Sequence, residues 1–145
     1  KSEEQLDRIK VLVDSGKEEG AKCWQSGQKL PRKGLWFKPT IFTECAQSHQ
    51  IVQKEIFGPV LAIQTFRTPE EAVEKANNTP YGLSGGVWTD KGSKIFKITS
   101  QIRAGVLWAN TFNKFDPASP FGGYKESGLG REGGLQGLAP YLDLH

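Results

Sequence analysis

The feature that most restricts the fold is an alternation in the middle of the chain. "VLAIQTF" from Val60 to Phe66 reads as a buried strand, after a break at Gly58-Pro59. Thr68-Pro69-Glu70-Glu71 follows: Thr68 can cap a helix, Pro69 suits its first position, and Glu71 can close a capping box. Val73 and Ala76 face inward until Asn77-Asn78 and Pro80 end that helix. "LSGGVWT" reads as a strand, Asp90 can cap the next helix, and Ile95, Ile98, Thr99 and Ile102 make one of its faces. "AGVLWANT" is a further strand. Each crossover is long enough for a parallel βαβ connection, so the expected class is α/β, an open and mostly parallel sheet with flanking helices.

The flanks fit around that centre. Ser2-Glu3-Glu4-Gln5 is a capping-box pattern, and Leu6, Ile9, Leu12 and Val13 follow at helical spacing. A first helix is expected over residues 3–15, running as far as Glu19 if Gly16 does not stop it. "AKCWQSG" reads as a short strand and 28–34 as a polar loop. "LWFKPTIFTEC" is extended, with Pro39 arguing for an edge or irregular strand. "HQIVQKEIF" begins as a short turn or helix. After Asn110 the chain becomes a long loop rich in Gly and Phe, a type of segment that usually carries function.

A length of 145 residues is that of one domain, and the net charge of +3 comes from Lys and Arg interspersed with Asp and Glu. The densest basic stretch, Lys29 to Lys38, reads as a solvated loop before a strand. Four cations are a weak footprint for nucleic acid. The longest apolar run is too short to cross a bilayer. The chain holds no Met and begins "KSEEQLDRIK", which reads as a processed product or a fragment rather than a secretory leader. Cys23 and Cys45 sit in no metal-binding or C-x-x-C spacing, which fits a reduced, cytoplasmic protein.

Gly128-Leu129-Gly130-Arg131-Glu132-Gly133 matches G-x-G-x-x-G. A dinucleotide fingerprint must follow a strand, open a helix, and have an acid about twenty residues on. Here a loop precedes the glycines and the chain has only twelve residues after Gly133, so a turn leading into a short helix is expected instead. The histidines His49 and His145 lie in no triad-like pattern. The residues alone therefore contain no complete active site.

"KEIFGPVLAIQTF", Lys54 to Phe66, resembles the NAD(P)-dependent aldehyde dehydrogenase superfamily. "LDRIKVLVDSGKEEGAK" is similar to the helix and strand before that motif, and "EEAVEKANNTPYGLSGGVWT" to those after it. "AGVLWANTF" resembles the strand leading to the substrate tunnel, and "SPFGGYKESGLGRE" the signature loop near the C-terminus. The resemblance covers essentially the whole chain, as the C-terminal part of the catalytic domain, with 112–134 as the tunnel and signature loop. The tail "REGGLQGLAPYL" resembles the family-sixteen type, some members of which lack the catalytic Cys.

This resemblance implies roles for particular residues. Glu55 and Phe57 would contact the nicotinamide ribose and ring of NAD or NADP. A carboxylate can accept from two ribose hydroxyls, and an aromatic ring packs against the nicotinamide. Phe115 and Phe121, with Phe112 nearby, would line the aldehyde passage. The nucleophilic Cys and the general-base Glu would lie outside this chain, and Cys23 and Cys45 do not occupy the nucleophile's motif. The expected partners are an aldehyde substrate, the remainder of the dehydrogenase chain and further copies in a homo-oligomer, with no nucleic acid and no membrane span. The alternative is an inactive dehydrogenase-like module with a binding or structural role.

Overall fold

The structure is a computed structural model and describes residues 2–143, so His145 lies outside the described residues. It divides into two compact units, residues 1–66 and 67–145.

The first unit opens with α1, Glu3–Glu18. The Ser2 side chain accepts from the Gln5 N–H at 3.1 Å, satisfying one of the orphan donors of the first turn. Gly16 does not end this helix. It lets α1 approach its neighbours, because an added Cβ would sit 2.9 Å from Ile51 Cδ1 and 3.2 Å from Phe42 Cε1. The stop comes at Gly20, at φ +92. There Gly20 N–H donates to Lys17 O (3.1 Å) and Ala21 N–H to Gly16 O (3.0 Å), a Schellman motif.

The strands β1 (Lys22–Gln25), β2 (Thr40–Thr43) and β3 (Val60–Ala62) form a three-stranded sheet in the order β1-β2-β3. β1 pairs with β2 antiparallel and β2 with β3 parallel. The sequence expectation of an edge strand after Pro39 is corrected here. β2 is the central strand, and it begins one residue past the proline, so the missing N–H falls outside the ladder. The Val60–Phe66 strand is also shorter and less buried than expected. Only three residues pair with β2, and Leu61 between them is exposed. The short helix α2, Gln50–Gln53, puts Ile51 against α1. Ile9, Leu12, Val13, Ala21, Phe42, Ile51 and Ile56 make the core, with Phe42 wholly buried.

The second unit carries the expected crossover. β5 (Ser84–Val87), α4 (Gly92–Thr99) and β6 (Val106–Ala109) form a parallel βαβ, with Ser84 opposite Val106 and Val87 opposite Ala109. Before it stands α3, Pro69–Asn77. Thr68 Oγ1 accepts from Glu71 N–H at 3.2 Å, as the start signal requires. The Glu71 carboxylate accepts from Arg67 N–H at 2.7 Å, one residue before the cap. α4 begins one residue later than the Asp90 signal implies, with Lys91 at the cap position and no capping side chain. The half-buried face of α4 still consists of Ile95, Ile98 and Thr99. β4 (Tyr81–Gly82) pairs antiparallel with β7 (Tyr124–Lys125), and α5 (Gly134–Leu138) leads into a 3-10 turn, Ala139–Tyr141. Val73 and Trp108 are the buried apolar side chains of this unit.

Candidate functional site

In the first unit the segment Glu55-Ile56-Phe57-Gly58-Pro59 is a turn pinned to α1. Ile56 is buried in the core, and Glu55 and Phe57 on either side of it are exposed. Two polar side chains of α1 hold the backbone. Arg8 Nη2 donates to Glu55 O at 2.9 Å, and Gln5 Nε2 donates to Phe57 O at 2.7 Å. Gly58 lies against the same helix, where an added Cβ would meet Ile9 Cδ1 at 2.5 Å. Pro59 O then accepts from Thr40 N–H at 2.9 Å, which ties the turn to the central strand.

Phe57 sits at φ +58, a left-handed conformation that costs a bulky residue energy and persists only where its surroundings impose it. The tethers on both sides supply that constraint. Phe57 stays 68% exposed and borders a groove with Leu6, Leu35, Phe37 and Pro59. The turn thus offers a carboxylate and an aromatic face on a fixed backbone. That donor set fits a nicotinamide riboside, which presents hydroxyls to one group and a planar ring to the other.

In the second unit the long loop is an organised structure. Trp108 on β6 is buried, and its Nε1 donates to Lys114 O at 2.8 Å. Around it the rings meet edge to face. Trp108 and Phe112 have centroids 4.9 Å apart, Trp108 and Phe115 5.6 Å, and Phe115 and Phe121 5.0 Å. Phe115 and Phe121 are therefore brought together, Phe115 exposed and Phe121 half-buried. Asp116 folds the loop back by accepting from Ala118 N–H at 3.0 Å and Ser119 Oγ at 3.3 Å.

The glycine pattern has the wrong polarity for a phosphate. The Arg131 guanidinium fills the turn, Nη1 donating to Gly123 O and Gly130 O (both 2.8 Å) and to Leu129 O (3.3 Å). A phosphate cradle points N–H groups inward; here carbonyls converge on a cation. The helix that follows, α5, has five residues and no capping side chain.

Cys23 and Cys45 are both free, half-buried thiols. Burial pushes the Cys45 thiol up, which keeps its proton on at neutral pH. Among the described residues no group of His, Cys, Asp and Glu could hold a metal ion, and no helix is long and apolar enough to cross a membrane.

The model of the aldehyde dehydrogenase family matches residues 1–145. This chain belongs to the aldehyde dehydrogenase family. It is 44% identical over 142 residues to an aldehyde dehydrogenase of Enchytraeus buchholzi, covering 98% of this chain and 29% of the relative. Retinaldehyde dehydrogenase 3 of Homo sapiens is 42% identical, with 98% and 28% covered. Betaine aldehyde dehydrogenase of Staphylococcus aureus, solved in complex with NAD+, superposes with a TM-score of 0.91 at 39% identity, covering 97% of this chain and 29% of that one. The chain thus spans a little under a third of the relatives it matches. The α/β class expected from the alternation is the class of these structures. The similarity is to the family as a whole and does not single out the family-sixteen type.

The tethers of the Glu55–Pro59 turn, Gln5 and Arg8, were not legible as functional, because on the sequence they are ordinary polar positions of an amphipathic helix. Trp108 and Arg131 were also missed. Arg131 stands between the glycines of a turn, and nothing in the sequence marks its side chain as the group that fills that turn.

Proposed function

We propose that this chain is the C-terminal portion of an NAD(P)-dependent aldehyde dehydrogenase that oxidises aldehydes to carboxylic acids. The observation that carries this reading is the Phe57 ring, held exposed at positive φ beside Glu55 on a turn with two side-chain tethers. Glu55 would accept hydrogen bonds from the ribose hydroxyls, and Phe57 would pack against the nicotinamide ring. Bound there, the nicotinamide supplies the two-electron acceptor of the oxidation. Phe115 and Phe121 line the aldehyde passage and keep water from the reacting carbon, a role that suits rings packed edge to face.

The nucleophile and base belong to the remainder of the enzyme. A Cys thiolate there adds to the aldehyde carbon to give a thiohemiacetal. After oxidation to the thioester, a Glu of the same remainder activates the water that releases the acid and restores the thiolate. The relatives' names carry different aldehydes, so the reading stops at the aldehyde class. The family-sixteen assignment rests on the "REGGLQGLAPYL" tail. A cytoplasmic homo-oligomer completes the reading. The outer edge of β1, which has no partner strand among the described residues, supports association.

The test is Glu55→Gln in the whole protein, assayed for aldehyde-dependent reduction of NAD+ and NADP+. The amide keeps the shape and removes the charge. A rise in cofactor KM or a fall in kcat of about tenfold is expected, the worth of one charged hydrogen bond. Unchanged kinetics would remove Glu55 from the site, and an inactive whole protein would favour the binding-module alternative.

A further inference from the structure

Phe121 is held at its place by a small closed circuit, and Arg131 is its fastener. Phe121 and Glu132 exchange both backbone bonds, Phe121 N–H to Glu132 O at 2.6 Å and Glu132 N–H to Phe121 O at 2.7 Å. They form a single bridge outside any strand, so nothing in a longer ladder fixes their register. Arg131, the residue before Glu132, reaches across the pair. Its Nη1 bonds Gly123 O on the Phe121 side and Gly130 O and Leu129 O on its own side. Its guanidinium also lies over the Tyr124 ring, 5.1 Å from the centroid.

The neighbouring glycines are shaped to this side chain. A Cβ on Gly122 would run into Gly130 O and come within 2.9 Å of both Cδ and Nη1 of Arg131. A Cβ on Gly105, the residue before β6, would run into Gly122 O. The circuit therefore closes on β6 twice. One path runs from Gly105 to Gly122, and the other from Trp108 through Phe115 to Phe121.

We infer that Arg131 is a positioning residue that sets the placement of the Phe121 ring and hence the acceptance of bulky aldehydes. The inference rests on the reading of Phe115 and Phe121 as lining the aldehyde passage. Arg131 works through backbone carbonyls. It acts by locking the backbone of 121–123 to that of 129–132, so its loss frees the ring to shift while leaving the cofactor turn untouched. A lysine at the same position keeps the charge but loses the planar guanidinium that lies over Tyr124, and should restore the lock only in part.

The test uses the whole protein with Arg131→Ala, Arg131→Lys and, as a benchmark, Phe121→Ala. Two readouts are taken, amide hydrogen exchange and steady-state kinetics with acetaldehyde and benzaldehyde. Arg131→Ala should speed exchange at the Phe121 and Glu132 amides by about tenfold or more, with the Asn110 amide, bonded to Val87 O, still protected. It should raise KM for benzaldehyde by on the order of tenfold, as should Phe121→Ala, with KM for NAD+ unchanged. Arg131→Lys should fall between and serves in place of the alanine variant if that one does not fold. Unchanged exchange at Phe121 in both variants would overturn the inference. So would faster exchange with an unmoved benzaldehyde KM while Phe121→Ala does move it. If Phe121→Ala also leaves that KM unmoved, the tunnel reading fails and the inference fails with it.

Discussion

The Glu55–Pro59 turn and the 112–134 loop present aromatic rings by different physical means. The turn rests on a packed core, with Ile56 buried beside Ile9 and Phe42, and two long polar side chains trim its geometry. The loop has almost no buried side chains of its own. Backbone runs against backbone at glycines, and one guanidinium and a chain of edge-to-face rings hold the rest. A site that must hold one rigid contact can stand on a core. A loop that must carry several residues past a narrow space does so by dispensing with side chains, and it depends on backbone shape.

That contrast can be broken. Phe42→Ala should be the most damaging change. It empties a wholly buried position on the central strand beneath α1, at a cost of about 3–5 kcal/mol by the usual range for such truncations, read by denaturant unfolding of the whole protein. A loss under about 1 kcal/mol would mean the core does not carry the first unit. Gly122→Ala should come next, at about 1–3 kcal/mol, because its Cβ meets the Gly130 carbonyl and the backbone cannot yield as a side-chain tip can. If it is neutral, the loop is not built on backbone contact. The smallest effect is electrostatic. The hydrogen bond from Lys97, at 2.6 Å, holds the Glu70 carboxyl below its ordinary value of 4.5. A lowered folded value means stability that is present above 4.5 and lost as pH falls through the folded value. Both groups are exposed, so Lys97→Ala should lower stability slightly above pH 4.5, with the difference vanishing as pH falls and smaller at high salt.

The same contrast explains what could be read in advance. The helices α1 and α3 were legible because they obey periodicity and capping. Ser2 and Thr68 cap where their spacing says, and Leu12 and Val13 point inward. Pro39 misled because a proline just before a strand and a proline within one look alike without knowing where pairing begins. Gly16 misled because glycine both ends helices and lets them approach, and only the neighbours Ile51 and Phe42 distinguish the two. The Glu55-x-Phe57 pair and the rings at 115 and 121 were legible only by resemblance, since no periodicity predicts them. Gln5 and Arg8 hold backbone atoms 52 and 47 residues away, and Arg131 reaches Gly123 at a separation of 8, pairings that emerge only in three dimensions.

The central claim is that the tethered turn presents Phe57 to the cofactor. Calorimetric titration of NAD+ into the whole protein and into its Phe57→Ala variant tests it most directly. Loss of the ring should weaken binding by about tenfold, the worth of a well-packed aromatic contact, with the thermal midpoint changed little because the ring is exposed. Equal affinity for NAD+ in the two proteins would contradict the account.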